Sequence, residues 1–153
     1  ILFQKIPQLK PNPLSTPSPP PLPRPDPPME LLDIDVSTPI MAPWFNPLDW
    51  PPSYFPAGSP LRFKAIWRDN RPSDQITPGR FDWTVIRLDT GHLVASGRGE
   101  EWCWSGEGFQ GGSCGDTTPK CYRVICRMLD QEGSLVGQVE HAVWAVNERA
   151  CRR

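Results

Sequence analysis

A Ser-His-Asp or Cys-His catalytic group in this chain would have to involve one of its two histidines, His92 and His141. A serine or cysteine nucleophile needs a histidine beside it and an acid that orients the ring. His92 follows the turn 89–91, and His141 lies inside a run of alternating apolar and polar residues. Neither spacing indicates a catalytic group. We therefore predict that both histidines lie at the surface or are hydrogen-bonded in the core.

Two other patterns resemble catalytic or binding motifs without fitting them. Glu100 and Glu101 are adjacent, so in a strand their carboxylates would point to opposite faces and would not share a general-acid site. The glycine-rich segment 106–115 lacks the lysine and serine of a phosphate-binding loop. The sequence therefore predicts a protein that is not an enzyme, with no catalytic residue, no cofactor and no metal ion.

Cysteine is concentrated in the last third of the chain, where all five residues fall between Cys103 and Cys151. No C-x-x-C pair occurs, which argues against a zinc knuckle or ribbon. Disulfide bonds explain the cluster better and indicate an oxidising compartment, outside the cell or at its surface. An odd count leaves one thiol unpaired.

A hairpin turn near residues 132 and 133 would pair residues whose numbers sum to about 265. Cys114 would then lie opposite Cys151, and this is the preferred bridge. Cys103 and Cys121 would form the second bridge and close the glycine-rich segment from its other side. Cys126 would face the core as the unpaired thiol. Five cysteines in two bridges allow 15 connectivities, so other pairings stay open.

Aromatic residues are the other candidate functional groups. Trp67 and Trp83 occupy inward positions of alternating runs and are expected in the core. A second group is interrupted by prolines and predicts a loop lying on a surface, either its own sandwich or a neighbouring subunit: Trp44, Phe45, Trp50, Tyr54 and Phe55. Alternatively, exposed rings would stack on sugars beside carboxylates that accept hydroxyl hydrogen bonds, with four candidates: Trp44, Trp50, Trp102 and Trp104.

The elements that would position these residues separate by composition into three regions. Residues 1–29 are a proline-rich extension, residues 30–57 hold a first strand and the aromatic loop, and residues 58–153 form the body. Of the 21 prolines, 18 lie within the first 60 residues, so a polyproline II spacer is expected over 11–29. The preceding segment 1–10 is apolar and is either a docking edge strand or a frayed terminus; its candidate contact residues are Leu2, Phe3 and Ile6.

Period-two alternation recurs through the body and predicts strands. In the first strand Leu32, Ile34 and Val36 are expected to face the core, with Asp33 and Asp35 in solvent. Further strands are predicted at 61–67, 80–88, 92–96, 101–104, 121–128 and 136–146, and no helical stripe is present. The pattern predicts an all-β protein, an antiparallel β-sandwich preceded by an extended proline-rich arm.

Three features together resemble the immunoglobulin-like and PKD-type sandwich domains over residues 58–147. They are Trp83 on an early strand, Tyr122 and Val124 on the penultimate strand, and a turn at 130–133 leading into the last strand. The chain differs from antibody domains because strand 61–67 has no cysteine to bridge to strand 121–128. The resemblance implies an Ig-like sandwich used as an extracellular spacer, adhesion unit or fibre component.

The charge and hydropathy of the chain limit the classes of partner that it could bind. The formal net charge is −1, so no broad basic face for nucleic acid is expected, and no apolar run reaches the ~20 residues of a membrane span. We predict a structural subunit of an extracellular filament or surface assembly, whose N-terminal extension docks on another copy or on another extracellular protein. A carbohydrate-binding adhesion module is the alternative. Segment 19–25 (PPPLPRP) also resembles ligands of SH3-type domains, whose intracellular setting conflicts with the cysteines.

Overall fold

The computed structural model describes residues 29–71, 79–113 and 115–148, and all statements about structure refer to these ranges. Apart from one 3₁₀ turn at Pro47–Asp49, the regular elements of this part are strands. Eight strands are present: β1 (Met29–Ser37), β2 (Tyr54–Pro56), β3 (Leu61–Asp69), β4 (Arg80–Arg87), β5 (Leu93–Arg98), β6 (Glu101–Trp104), β7 (Lys120–Leu129) and β8 (Leu135–Val146).

The strands form two sheets that pack face to face. One sheet has three strands in the order β1-β3-β6, and the other has five in the order β2-β8-β7-β4-β5. Neighbouring strands are antiparallel, except that the short β2 runs parallel to β8. The prediction of an all-β, predominantly antiparallel sandwich is therefore confirmed.

Alternating residues of β3, β4 and β7 fill the space between the sheets, as their sequence pattern predicts. Trp83 of β4 is 1% exposed and stacks on Phe63 of β3, with ring centroids 5.8 Å apart. Trp67 is partly buried and packs against Phe81. The other fully buried side chains of these three strands are Leu61, Val85, Tyr122, Val124, Cys126 and Met128.

The first strand differs from its prediction at one residue. Leu31 is buried, whereas Leu32 is 44% exposed, so the expected inward position of Leu32 is wrong. The pairing of β1 with β3 shifts between Leu31 and Asp33, which is a β-bulge. An extra residue in one strand reverses the face of the residues on one side of it. Ile34, beyond the bulge, is buried as predicted.

The register of the β7–β8 hairpin matches the sequence-based calculation. Cys121 pairs with Trp144 and Cys126 pairs with Val139, so the paired residue numbers sum to 265. The turn is closed by a hydrogen bond from the Gly133 amide to the Asp130 carbonyl oxygen, 3.1 Å long. Cys126 is buried and unpaired, as predicted, and burial raises the pKa of its thiol to about 12. It therefore stays protonated at neutral pH.

The predicted bridge between Cys103 and Cys121 is wrong, because both residues carry free thiols. Cys103 lies on the outward face of β6 and Cys121 on the outward face of β7, in opposite sheets of the sandwich. Packed sheets lie about 10 Å apart, and a disulfide requires Cα atoms within about 7 Å. Cys114 and Cys151 lie outside the described residues, so their predicted bridge stays a prediction.

Candidate binding site on the aromatic arm

The segment between β1 and β3, residues 38–56, is here called the aromatic arm. Its far end joins the five-stranded sheet as β2, which pairs with residues 144–146 of β8. One residue before β2, the Ser53 carbonyl oxygen accepts a 2.9 Å hydrogen bond from the Trp144 amide. Near the start of the arm, the Thr38 hydroxyl lies 2.8 Å from the Pro60 carbonyl oxygen. The arm is therefore held to the sandwich at both ends.

Ser53 also connects the arm to one of the two histidines. Its Oγ lies 2.8 Å from Nε2 of His141, and its backbone φ is +70°, which is uncommon for a residue other than glycine. No carboxylate of the described residues is hydrogen-bonded to the His141 ring. The contact anchors the arm to β8, in agreement with the prediction of a hydrogen-bonded histidine.

A stack of three aromatic rings fixes the middle of the arm. Tyr54 lies against Trp144 of β8, with ring centroids 4.7 Å apart and ring planes at 9°. Trp50 stacks on the other face of Tyr54, at 5.6 Å and 15°. Such offset stacking adds about 0.5–1.5 kcal/mol per pair beyond the burial of area. Trp50 and Tyr54 are thus held in place and remain partly exposed.

Two of the five predicted contact residues of the arm face their own domain. Phe45 is 6% exposed and Phe55 is 9% exposed, and Phe55 belongs to the core cluster. The arm therefore covers its own sandwich with these two residues, which is the first of the two predicted alternatives, and they do not face a partner. Trp44 remains accessible at 39% and meets Phe45 edge-on, with centroids 5.9 Å apart.

The arm also exposes apolar residues that the sequence analysis did not select. Among the described residues nine large apolar side chains are exposed, and four of them fall within positions 40–48. We call these four the apolar cluster: Ile40 (65% exposed), Met41 (41%), Trp44 (39%) and Leu48 (91%). The sequence did contain a signal for this exposure, because these apolar residues lie between prolines in a segment too rich in proline to bury every side chain.

Beside the apolar cluster lies a cleft of about 700 Å³ between the arm and the end of β8. We call it the arm cleft. Trp44, Trp50 and Asp49 are among the residues that line it. The Asp49 carboxylate has no hydrogen-bond or ion-pair partner among the described residues. Glu148 contributes a second carboxylate, and no lysine or arginine of the described residues lines the cleft. The cleft therefore combines aromatic faces with negative charge.

Local hydrogen bonds make both walls of the arm cleft rigid. On the arm, the Asn46 side chain accepts a 3.1 Å hydrogen bond from the Leu48 amide and caps the 3₁₀ turn that carries Asp49. On the other side, Asn147 donates to the carbonyl oxygens of Gly112 and Asp116, at 3.0 and 3.1 Å. Little conformational entropy would be lost here when a ligand binds.

The second pair of candidate sugar-binding residues does not form an exposed platform of two rings, although Trp102 is partly exposed. Trp104 is 5% exposed, and its ring packs edge-on against Phe109. Trp102 is half-buried between the sheets, 5.5 Å from Phe63 and 6.4 Å from Trp83. The expected platform of Trp102 and Trp104 is therefore wrong, since the shared face of β6 is the face that points inward.

Other sequence-based expectations are not tested by the described residues. Leu2, Phe3 and Ile6 lie outside them. Within residues 29–71, 79–113 and 115–148, no cluster of three or more potential metal ligands occurs. Within the same residues, no helix is long and apolar enough to span a membrane.

Comparisons with known proteins identify a fold and no family. No family model matches the sequence, and no curated protein matches it. Among solved structures, the chain is similar to the apo β-glucuronidase of Ruminococcus gnavus, with a TM-score of 0.50, 10% identity and 78% of this chain covered. The same enzyme in complex with D-glucuronic acid gives a TM-score of 0.48 at 10% identity. The chain spans 16% of the length of that enzyme, so what the two proteins share is a β-sandwich.

Proposed function

We propose that this chain is a non-catalytic structural subunit of an extracellular or cell-surface assembly, and that its N-terminal extension docks on a neighbouring subunit. The observation that carries the proposal is the apolar cluster, four exposed apolar side chains on a proline-stiffened arm anchored to the domain. Four exposed apolar side chains within nine consecutive positions are more than the single scattered ones usual on a soluble domain, and such concentrations mark contact sites. Prolines lower the entropy that such a surface loses on binding.

We further infer that the sandwich is immunoglobulin-like. The strand orders β1-β3-β6 and β2-β8-β7-β4-β5, with a short strand crossing to pair with the last one, support this assignment. Trp83 fills the space between the sheets on the strand where that fold carries a tryptophan. Tyr122, near the start of β7, accepts a 2.9 Å hydrogen bond from the Gln110 amide, and its hydroxyl lies 2.9 Å from the Gly108 carbonyl oxygen. This resembles the tyrosine corner of immunoglobulin-like domains.

Removing the contact residues of the N-terminal segment tests the proposed function. In the full chain, the triple variant in which Leu2, Phe3 and Ile6 are all replaced by serine should self-associate at least tenfold more weakly. The reason is that a few buried apolar residues carry most of an interface's affinity. Sedimentation velocity over a range of concentrations measures this. Deletion of residues 1–28 should have the same effect. A matched triple serine variant at exposed Leu88, Leu93 and Leu135 should associate like the parent. Unchanged assembly in both N-terminal variants would contradict the proposal.

Carbohydrate binding is the second candidate, and the arm cleft favours it. Trp44 and Trp50 offer ring faces beside the Asp49 carboxylate, the combination that recognises sugar hydroxyls and C–H faces. We expect Trp44→Ala to reduce the affinity of the full chain for neutral glycans about tenfold or more. Glycan-array binding followed by calorimetry measures the change, with Leu48→Ala as the control that removes apolar area without removing a ring. A parent protein that binds no glycan would rule this candidate out.

A further inference from the structure

The arm cleft is the surface whose chemistry best matches the N-terminal segment of the chain. Residues 1–10 (ILFQKIPQLK) contain Lys5 and Lys10 and no acidic residue. The described residues that line the cleft include Asp49 and Glu148 and no basic residue. The segment also carries Leu2, Phe3 and Ile6, whereas the cleft offers two indole rings beside the apolar cluster. Charge and apolar character are therefore complementary.

The length of the spacer favours a neighbouring copy over the same chain. Eighteen residues, 11–28, separate the segment from Met29, where β1 begins. In the polyproline II conformation that their composition predicts, they would span about 55 Å. A domain of this size is about 35 Å across. A stiff spacer of that length would extend past its own domain and reach a neighbouring one.

Strand addition is the competing mode of docking, and the edges of the five-stranded sheet favour it less. The edge strand β2 is three residues long, ends in Pro56 and is preceded by Pro51 and Pro52, and these prolines weaken an edge for pairing. The other edge strand of that sheet, β5, ends at the highly exposed Arg98, which pairs with Asp82 at 3.6 Å and would place a cation beside a lysine-bearing strand. The arm cleft is instead lined by Asp49 and Glu148, whose charge is opposite to that of the two lysines.

We propose that the N-terminal segment of one subunit, residues 1–10, binds in the arm cleft of a second copy, with a lysine of the segment facing Asp49. This rests on the proposed function and adds to it the acceptor site. The lysine supplies a charge partner for a carboxylate that has none among the described residues, and the apolar side chains of the segment lie against Trp44 and Trp50. Rings and a carboxylate together favour a cation next to apolar groups.

Charge reversal with rescue tests the acceptor site in the full chain. Asp49→Lys should weaken self-association about 10- to 100-fold, because like charges then meet in the cleft. Adding Lys5→Glu or Lys10→Glu to Asp49→Lys should restore association to within about threefold of the parent. Glu132→Lys, which makes the same charge change in the exposed β7–β8 turn, should associate like the parent. Sedimentation velocity gives the dissociation constants, and circular dichroism checks that each variant is folded.

The outcomes separate the acceptor site from the proposed function. If the N-terminal variants lose assembly while Asp49→Lys keeps it, subunit docking stands and the arm cleft is not the acceptor. If Asp49→Lys loses assembly and neither lysine reversal restores it, the named occupant is wrong. If Asp49→Lys lowers glycan affinity and leaves association unchanged, the cleft is a sugar site and this inference is overturned. If neither set of variants changes assembly, the proposed function fails as well.

Discussion

Trp83→Ala should lower the free energy of unfolding by about 3–5 kcal/mol, the usual cost of deleting a large aromatic side chain from a core. The indole is 1% exposed and packs between Phe63 and Trp102 at the centre of the sandwich. Its Nε1 donates a 2.6 Å hydrogen bond to the Gly99 carbonyl oxygen, so the substitution also leaves that oxygen without its partner. A loss of this size is a large fraction of the stability of a domain.

Trp44→Ala is the matched control for this experiment, since it removes the same side chain from an exposed site. Trp44 is 39% exposed and contacts Phe45 at one ring edge, so we expect a loss of about 1 kcal/mol or less. Urea denaturation of both variants measures the difference. The dependence of the unfolding free energy on urea concentration should equal that of the parent, so that the shift in midpoint reports stability alone. Equal losses in the two variants would contradict the described burial of Trp83.

The sandwich could be predicted from the sequence because its inner strands alternate strictly. In β7 every second residue from Tyr122 to Met128 is buried, and the pattern alone identifies the inward face. The hairpin register was also predictable, since one glycine turn fixes the pairing from Cys126–Val139 to Cys121–Trp144. Local period and turn chemistry determine these features.

Features that depend on contacts between distant residues could not be predicted. The bulge that exposes Leu32 arises from pairing with β3, and no residue near Leu32 signals it. Trp102 and Trp104 point inward because their face of β6 lies against the other sheet. The sequence of this four-residue strand does not indicate which of its faces is the inner one. The same missing information misplaced the bridge between Cys103 and Cys121. Alternation gives two faces, and only the packed sheets show which one is inside.

The candidate site was predictable in its location and not in its composition. The proline-interrupted aromatic segment indicated a surface-lying arm, and Trp44 and Trp50 do line its cleft. Phe45 and Phe55 turned out to cover their own domain, whereas Leu48 faces solvent. Asp49 joined the site through a 3₁₀ turn capped by Asn46, three residues earlier in the chain. Irregular backbone has no period, so residue type alone does not separate anchoring from exposed side chains.

Gly106→Ala should be the most destabilising single-methyl change in the loop that leads from β6 toward β7. Gly106 is buried with φ at +87°, and a Cβ there would lie 2.7 Å from the Gly58 carbonyl oxygen and would collide with the backbone of Ser59. The left-handed backbone alone costs an alanine about 1–2 kcal/mol. Because backbone atoms cannot move aside as a flexible side chain can, we expect a total loss of about 3 kcal/mol or more.

Gly133→Ala separates the two contributions to this loss. Gly133 has nearly the same backbone angle, φ +84°, but a Cβ there meets no atom within 4 Å. It should therefore cost only the backbone term, about 1 kcal/mol, partly offset because alanine restricts the unfolded chain more than glycine does. Thermal and urea unfolding of the two variants side by side measure the contributions. Gly106→Ala being no more destabilising than Gly133→Ala would contradict the close approach of the Gly58 and Ser59 backbone to Gly106.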